Sequence, residues 1–288
     1  MAPINADTVP IRPVLSLVSK GRTGTGKTIA SCGKEFRPVR VLDCEGRMDS
    51  VISYYRKLDG HARDIYFDSF HMNTGFYELD KTMDEIIARP EWKTIVVASL
   101  TSYIHIVLKH LINTKVGQKR KSGQDAGKRI GGIPVNELED YNAEDAAIIY
   151  ELIAFMQQIK NQGTNVILEA HISPYEITTI DEDSRSRQQQ TIMQILTKGK
   201  KAPAQIPGYF NEVYLFEKKF EGIQAGASEA HYYVNTVGSQ VDECKTSMGI
   251  KPFDWTGKDF SIELWNQLSQ EVKDTPRVDP NAPKAVRF

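Results

Sequence analysis

Short apolar runs alternate along the chain with longer segments in which apolar residues recur at helical spacing. The predicted strands are Val14–Val18, Val39–Asp43, Asp64–Phe67, Thr94–Ala98, Asn165–Ala170, Glu212–Phe216 and His231–Val237. The predicted helices are Arg47–Leu58, Gly75–Ala88, Leu100–Ile112 and Ala143–Asn161. Strands that alternate with helices are typical of an α/β fold, so we expect a mostly parallel central sheet flanked by helices.

The same pattern predicts one large domain, which we place at residues 12–272. Residues 1–11 form a predicted N-terminal arm. Residues 273–288 carry three prolines and few apolar side chains, a composition that predicts a flexible tail.

The composition is that of an ordinary globular protein and excludes several classes. The 288 residues are 40% hydrophobic and 25% charged. A net charge of −1 gives no overall attraction to nucleic acid, so such binding needs a local basic patch. The cysteines Cys32, Cys44 and Cys244 lack the spacing of a zinc site or a disulfide framework. With no signal-like N-terminus and no long apolar stretch, we expect a cytoplasmic protein.

The segment Gly21–Thr28 matches the phosphate-binding loop pattern G-x-x-x-x-G-K-[ST] at every fixed position. A predicted strand precedes it and a helix can follow it, which argues against a chance match in a Gly-rich turn. Lys27 is expected to contact the β- and γ-phosphates and Thr28 to bind the metal, so we expect ATP and Mg²⁺ as cofactors. The predicted cofactor-binding residues are Gly21, Arg22, Thr23, Gly24, Thr25, Gly26, Lys27 and Thr28.

Two carboxylates end the strand Val39–Asp43. Asp43 is its last residue and Glu45 follows two positions later. Residues i and i+2 of an extended chain face the same side, so both are predicted to point at the phosphate loop. Nucleotide hydrolysis needs a group that orients water and an acid near Mg²⁺. We assign Glu45 to the water and Asp43 to the metal; an ordinary acidic strand end is the alternative.

The strand Thr94–Ala98 is where a magnesium carboxylate is expected, because such an apolar run should end in Asp. The residue there is Ala98, which has no oxygen to offer. Ser99 can fill part of the role without a charge. Two explanations stay open, a naturally weakened site or a deliberate hydrolysis-deficient variant. Both predict reduced Mg²⁺ affinity and slow turnover.

The strand Asn165–Ala170 ends among polar side chains, with Glu169 inside it and His171 after it. A polar group at this position can sense the γ-phosphate and pass the signal to the following loop. A hydrogen-bonded structural histidine is the alternative.

Two segments, Lys115–Arg129 and Asp181–Pro203, show neither strand nor helix periodicity, and we predict irregular loops at the ligand-binding edge of the sheet. Their cations can neutralise DNA phosphates, whereas a solvated charge run is the alternative. Few aromatic residues are interleaved, which favours backbone contact over base stacking. The predicted DNA-binding residues are Lys115, Lys119, Arg120, Lys121, Lys128, Arg129, Arg185, Arg187, Lys198, Lys200 and Lys201.

These motifs together resemble the RecA-like recombinase and ATPase superfamily over roughly residues 12–250. In particular, the chain resembles compact RecA-like ATPases of bacteriophages, some of which act in single-strand annealing. The resemblance implies a RecA-like P-loop NTPase core with Glu45 as the catalytic glutamate and a polar sensor at Glu169 to His171. It also implies DNA contacts in the two basic segments, and the host cytoplasm as location if the protein is phage-encoded.

The segment Cys244–Gly249 is similar to the Lys-Asn-Arg-Phe-Gly segment of RadA-like members, whose lysine contacts the nucleotide of a neighbouring subunit. Lys245 and Gly249 match, whereas Ser247 replaces the arginine. The resemblance implies that Lys245 acts across a subunit boundary, and hence a ring or filament homo-oligomer.

The hypothesis from sequence is an ATP-binding RecA-like ATPase that binds single-stranded DNA in phage-type recombination, annealing or repair, with hydrolysis weakened by Ala98. Its predicted catalytic residues are Lys27, Glu45, His171 and Lys245, and its predicted metal residues are Thr28, Asp43 and Ser99. A ring-forming nucleic-acid motor of helicase or packaging type is the first alternative. A non-hydrolysing, nucleotide-gated assembly protein is the second.

Overall fold

The structure, a computed structural model, describes residues 14–72, 75–115, 145–180, 187–197, 201–221, 229–239 and 242–268. The strands are β1 (Ser16–Gly21), β2 (Val39–Asp43), β3 (Ile65–Ser69), β4 (Thr94–Ala98), β5 (Asn165–Ala170), β6 (Ile172–Ile180), β7 (Arg187–Ile195), β8 (Glu212–Glu221), β9 (Glu229–Asn235) and β10 (Phe253–Asp254). The α-helices are α1 (Lys27–Ser31), α2 (Met48–Asp59), α3 (Gly75–Ala88), α4 (Leu100–Lys115), α5 (Ala154–Asn161), α6 (Ala202–Tyr209) and α7 (Phe260–Asn266). A 3₁₀ turn spans Lys34–Phe36, and a π-helical segment, Ala147–Ile153, leads into α5.

One large sheet has the strand order β10-β9-β8-β1-β5-β4-β2-β3. From β8 to β3 every neighbouring pair is parallel, whereas β9 and β10 add antiparallel strands at one edge. Because parallel strands end on the same side, the carboxyl ends of β1, β2, β4 and β5 share one edge. The predicted α/β class with a mostly parallel central sheet flanked by helices is confirmed.

Alternate residues of the central strands enter two separate apolar cores, one on each face of the sheet. The face covered by α3, α4, α5 and α6 holds Val18, Leu42, Val97 and Leu168. The face covered by α1, α2 and α7 holds Leu17, Val41, Val96 and Ile167. Burial of each such side chain stabilises the fold by about 1.5–3 kcal/mol relative to exposure.

Most predicted elements are present, and three strands and one helix have the predicted bounds, namely β2, β4, β5 and α3. Strand β1 begins at Ser16 rather than Val14, and its pairing with β8 continues to Gly21. Helix α4 extends beyond the predicted end at Ile112. The helix predicted from Ala143 is described from residue 145 and contains the π-helical segment.

The prediction of an irregular loop over Asp181–Pro203 is wrong for Arg187–Ile195. This run forms β7, which pairs with β6 as an antiparallel hairpin from Ile172 opposite Ile195 to Ile180 opposite Arg187. The run of glutamines lacks the apolar alternation by which a strand is recognised. Backbone pairing along nine residues of each strand holds this hairpin instead.

Helices α6 and α7 were not predicted either. Pro203, Pro207 and Gly208 interrupt any helical pattern in α6. Helix α7 is short, and Asp259 caps it by accepting from the backbone N–H groups of Ser261 and Ile262.

The predicted arm (1–11) and tail (273–288) lie outside the described residues, so the domain limits at 12 and 272 stay predictions. Within the described parts of the chain, none of the helices has both the length and the apolar character needed to cross a membrane.

Glu212, at the start of β8, is fully buried and fixes the segment that carries Lys245. Its Oε1 accepts from Ser247 N (2.8 Å), Ser247 Oγ (2.7 Å) and Met248 N (3.1 Å), and its Oε2 accepts from Tyr214 OH (2.6 Å). One carboxylate thus satisfies four donors around the beginning of the strand.

Replacing Glu212 by Ala is expected to lower the free energy of unfolding by about 3 kcal/mol, because buried donors lose a charged acceptor. Glu217→Ala on the same strand is the control, since its contact with Lys219 is exposed and 3.6 Å long. We expect that control to cost less than about 1 kcal/mol. Urea denaturation measures both; equal losses would contradict the anchoring role of Glu212.

Candidate functional site

A pocket opens at the sheet edge where β1, β2, β4 and β5 end, which is where α/β sheets bind ligands. Residues from five separate parts of the chain meet there. The lining consists of residues 24–29, Glu45, Arg47, Ser50, Ser99, Glu169, His171 and Tyr232.

The loop between β1 and α1 turns tightly through two left-handed glycines, Gly24 (φ 80°) and Gly26 (φ 83°). Only glycine adopts this backbone without a steric penalty. Arg22 and Thr23 are exposed at the tip, whereas Thr25 is buried and donates to the carbonyl of Arg22 at 2.9 Å. The predicted cofactor-binding segment therefore forms a compact loop at the pocket.

Lys27 is buried and lies across this loop. Its Nζ donates to the carbonyl oxygens of Gly21 (3.0 Å) and Arg22 (2.9 Å). Burial lowers the pKa of Lys27, and the negative charges of Glu169 and Glu45 oppose that shift. An ammonium held by two neutral carbonyls can exchange them for phosphate oxygens without losing hydrogen bonds.

Glu45 lies at the centre of a polar cluster formed by the ends of β2, β4 and β5. Ser99 Oγ donates a short hydrogen bond to Glu45 Oε1, and His171 Nε2 lies 2.8 Å from the same oxygen. Arg47 NH1 lies 3.3 Å from Glu45 Oε2. Burial alone would raise the pKa of Glu45, but the hydrogen bonds from His171 and Ser99 and the charges of His171 and Arg47 lower it to about 2. Glu45 is therefore ionised at neutral pH.

Asp43 is buried, and its carboxylate faces the backbone of the following turn. It accepts from the N–H groups of Glu45 (3.1 Å), Gly46 (2.8 Å) and Arg47 (3.1 Å) and from Ser69 Oγ (3.4 Å). These bonds shape the turn into α2. Asp43 thus lies outside the pocket lining, and its hydrogen bonds hold the turn that carries Glu45 into the pocket.

Thr28 is joined to β5 by a hydrogen bond of 2.7 Å from its Oγ1 to Glu169 Oε2. Glu169 is 2% exposed, and its Oε1 has no hydrogen-bond partner among the described residues. Burial raises the pKa of Glu169 to about 7, although the Thr28 hydrogen bond, the charge of Lys27 and the Ser31 hydroxyl act in the opposite direction.

These oxygens fit Mg²⁺, which prefers hydroxyl and carboxylate ligands. Among the described residues, no group of three or more His, Cys, Asp or Glu side chains could hold a metal ion. Mg²⁺ at nucleotide sites is usually held by one or two carboxylates together with phosphate oxygens and waters. Thr28 and the unpartnered Oε1 of Glu169 have the chemistry for such a site.

Lys245 lies away from this pocket in its own chain. Its backbone pairs with Val213 near the start of β8, at N···O distances of 2.9 and 3.0 Å. The structure therefore does not bring Lys245 together with Lys27, Glu45 and His171.

Most predicted DNA-binding residues lie outside the described parts of the chain. These are Lys119, Arg120, Lys121, Lys128, Arg129, Arg185, Lys198 and Lys200. Of the rest, Lys115 ends α4, Arg187 begins β7 and Lys201 precedes α6.

Four residues of the pocket lining were missed from sequence, namely Ile29, Arg47, Ser50 and Tyr232. Arg47 has a recognisable position, two residues after Glu45 in the same turn. Tyr232 comes from β9 on the far side of β8, and no local pattern indicates that it faces the phosphate loop.

The sequence matches no protein-family model and no curated protein. Among solved structures, the chain is similar to the KaiC-like protein PH0186 from the hyperthermophilic archaeon Pyrococcus horikoshii OT3. The identity is 11% and the TM-score 0.41, and the match covers 83% of this chain and 84% of that chain. This likeness is distant.

Gly26 is crowded as well as left-handed. A Cβ atom there would lie 2.8 Å from two ring carbons of Trp255, whereas one on Gly24 would meet no described atom within 4 Å. Gly24→Ala is expected to cost about 1–2 kcal/mol from the backbone alone. Gly26→Ala is expected to cost about 1–3 kcal/mol more, because the Trp255 ring must also move. Thermal unfolding of the two variants checks this; equal destabilisation would show that Trp255 does not confine the loop.

Proposed function

We propose that this protein is a RecA-like P-loop ATPase that binds ATP with Mg²⁺ in the pocket at the end of β1. The observation that carries the proposal is the buried Lys27 inside the loop Gly21–Thr28, facing a pocket that also contains the ionised Glu45. The RecA-like assignment rests on the resemblance of the motifs, and the parallel sheet agrees with it.

Binding begins with the loop and its lysine. Backbone N–H groups of the glycine-rich turn and Lys27 Nζ contact the β- and γ-phosphates. Arg47 borders the pocket with a half-exposed side chain and adds a second positive charge. Mg²⁺ would supply positive charge that offsets the negative charge developing during phosphoryl transfer. Thr28 would hold it from the protein side.

Glu45 orients the attacking water by accepting a hydrogen bond from it. A carboxylate with a pKa of about 2 is a weak base, so orientation contributes more than early proton removal. Ser99 and His171 hold the Oε1 side of this carboxylate in one position. His171 thereby connects Glu45 to the β6–β7 hairpin, which begins at the next residue, Ile172.

Single-stranded DNA and a second copy of the chain are the proposed partners. The DNA proposal is supported by the basic residues of the two segments around Lys115–Arg129 and Asp181–Lys201. The resemblance supports phage-type recombination or annealing as the setting. Lys245 lies outside its own pocket, as expected of a residue that acts on the nucleotide of a neighbouring subunit in a ring or filament.

Lys27→Ala is expected to abolish ATP binding, because it removes the buried phosphate-binding cation. Glu45→Gln should keep binding within a few-fold and lower kcat about 100-fold or more, since the amide cannot hold the water in the same way. Lys81→Ala, at an exposed position of α3, is the matched control and should behave as wild type. Calorimetry and a phosphate-release assay measure these effects. ATP binding by Lys27→Ala would contradict the nucleotide site, and binding without any turnover in the wild type would favour the nucleotide-gated assembly protein.

Replacing Lys119, Arg120 and Lys121 with Ala is expected to weaken single-stranded DNA binding and to reduce the log–log salt slope by about 2, for three lost phosphate contacts. The control replaces the scattered, exposed Lys57, Lys81 and Lys251. Fluorescence anisotropy with a labelled oligonucleotide at several salt concentrations measures both. A slope unchanged from wild type would remove this segment from the interface.

A further inference from the structure

The end of β4 lacks the acid that a magnesium site needs there. Ala98 is its last residue, 3% exposed, and it offers only a methyl group. In the sheet, Val97 of β4 lies beside Leu168 of β5, so Ala98 and Glu169 are the next residues along two neighbouring strands.

Ala98 and Glu169 also share a face of the sheet. Ala98 and Val96 pack in the core below α1 together with Ile167, which lies two residues before Glu169. Because residues i and i+2 of a strand face the same side, Glu169 projects toward α1, where it meets Thr28. Neighbouring strands lie about 4.8 Å apart, and a glutamate side chain is one methylene longer than an aspartate. A carboxylate on β5 can therefore reach the same magnesium position beside Thr28 that a carboxylate at the end of β4 would reach.

The hydrogen bond between Thr28 and Glu169 leaves oxygen lone pairs of both side chains available to a cation. The single hydroxyl proton of Thr28 goes to Glu169 Oε2, so the lone pairs of Oγ1 are available to a metal. Glu169 is part of the pocket lining, and its buried Oε1 has no hydrogen-bond partner among the described residues.

We infer that Glu169 of β5 supplies the carboxylate of the magnesium site in this protein. It takes the role that an acid at the end of the neighbouring strand β4 would otherwise have. The inference rests on the proposed nucleotide site and adds its metal-site residue. It also means that Ala98 does not by itself lower Mg²⁺ affinity, in contrast to the expectation from sequence.

The test compares the wild type with Glu169→Gln, Ala98→Asp and the double variant Ala98→Asp/Glu169→Gln. Isothermal titration calorimetry measures the affinity for the non-hydrolysable analogue AMP-PNP with MgCl₂ and with EDTA, so no turnover is involved. The ratio of the two affinities is the Mg²⁺ effect. Lys27→Ala is included to report on the nucleotide site itself, and circular dichroism checks that each variant is folded.

Glu169→Gln is expected to reduce the Mg²⁺ effect by about 10- to 100-fold while leaving binding in EDTA nearly unchanged. Ala98→Asp alone should bring no gain, because the site already has its acid and a second carboxylate repels the first. The double variant should recover most of the Mg²⁺ effect lost in Glu169→Gln, which a misfolded protein could not do.

Four outcomes would overturn the inference. A full Mg²⁺ effect in Glu169→Gln, with Lys27→Ala unable to bind AMP-PNP, would leave the nucleotide site standing and remove Glu169 from the metal. A larger Mg²⁺ effect in Ala98→Asp than in wild type, or no recovery in the double variant, would contradict the role of Glu169 in place of an acid on β4. Failure of the wild type to bind AMP-PNP would instead remove the proposed function and the inference with it.

Discussion

Strand β1 is hydrogen-bonded along its length to parallel β5 on one side and to parallel β8 on the other, and the pairing with β8 continues to Gly21 opposite Phe216. A side chain at Gly21 would lie 2.4 Å from the carbonyl oxygen of Phe216, so the strand and the phosphate loop meet at a residue that must be glycine. The carbonyl of Gly21 then accepts from Lys27 Nζ. The position of the lysine is thus set by the sheet, and the contacts of Thr28 and Glu169 depend on it.

Two buried lysines, Lys20 and Lys27, lie at the two ends of this loop, and they have different hydrogen-bond partners. Lys20, just before the loop, is paired with Asp242 at 2.6 Å, with side chains 3% and 9% exposed. Removal of either partner would leave an uncompensated buried charge, which typically costs about 3–5 kcal/mol. Among the described residues, Lys27 by contrast donates directly to neutral carbonyls alone, and the negative charges of Glu169 and Glu45 raise its pKa without a hydrogen bond to it. Its charge therefore stays available to an anion in the pocket.

The fold was largely predictable because central parallel strands are buried on both faces, so their sequences are nearly continuous apolar runs. Runs such as Thr94–Ala98 and Asn165–Ala170 read as strands from composition alone, and the loop Gly21–Thr28 from its fixed positions. The β6–β7 hairpin was not predictable in this way, because its glutamines are held by backbone pairing and not by an apolar side. The pairing of Thr28 with Glu169 spans 141 positions of sequence and follows from strand order, which no local pattern contains. Asp43 and Glu45 were both predicted to face the phosphate loop, but Asp43 bonds the backbone of the following turn and only Glu45 is part of the pocket lining.

His171 is the single residue between β5 and β6, and its carbonyl accepts from Leu196 N at 2.8 Å, just beyond the end of β7. The base of the hairpin is therefore closed across the same residue whose ring contacts Glu45. Nine residues of extended strand span about 30 Å, so a rotation of about 5° at this base displaces the far end by roughly 2–3 Å. Because His171 lies in the wall of the pocket, a small rotation at this residue would move the far end of the hairpin much further than it would move the groups around Glu45.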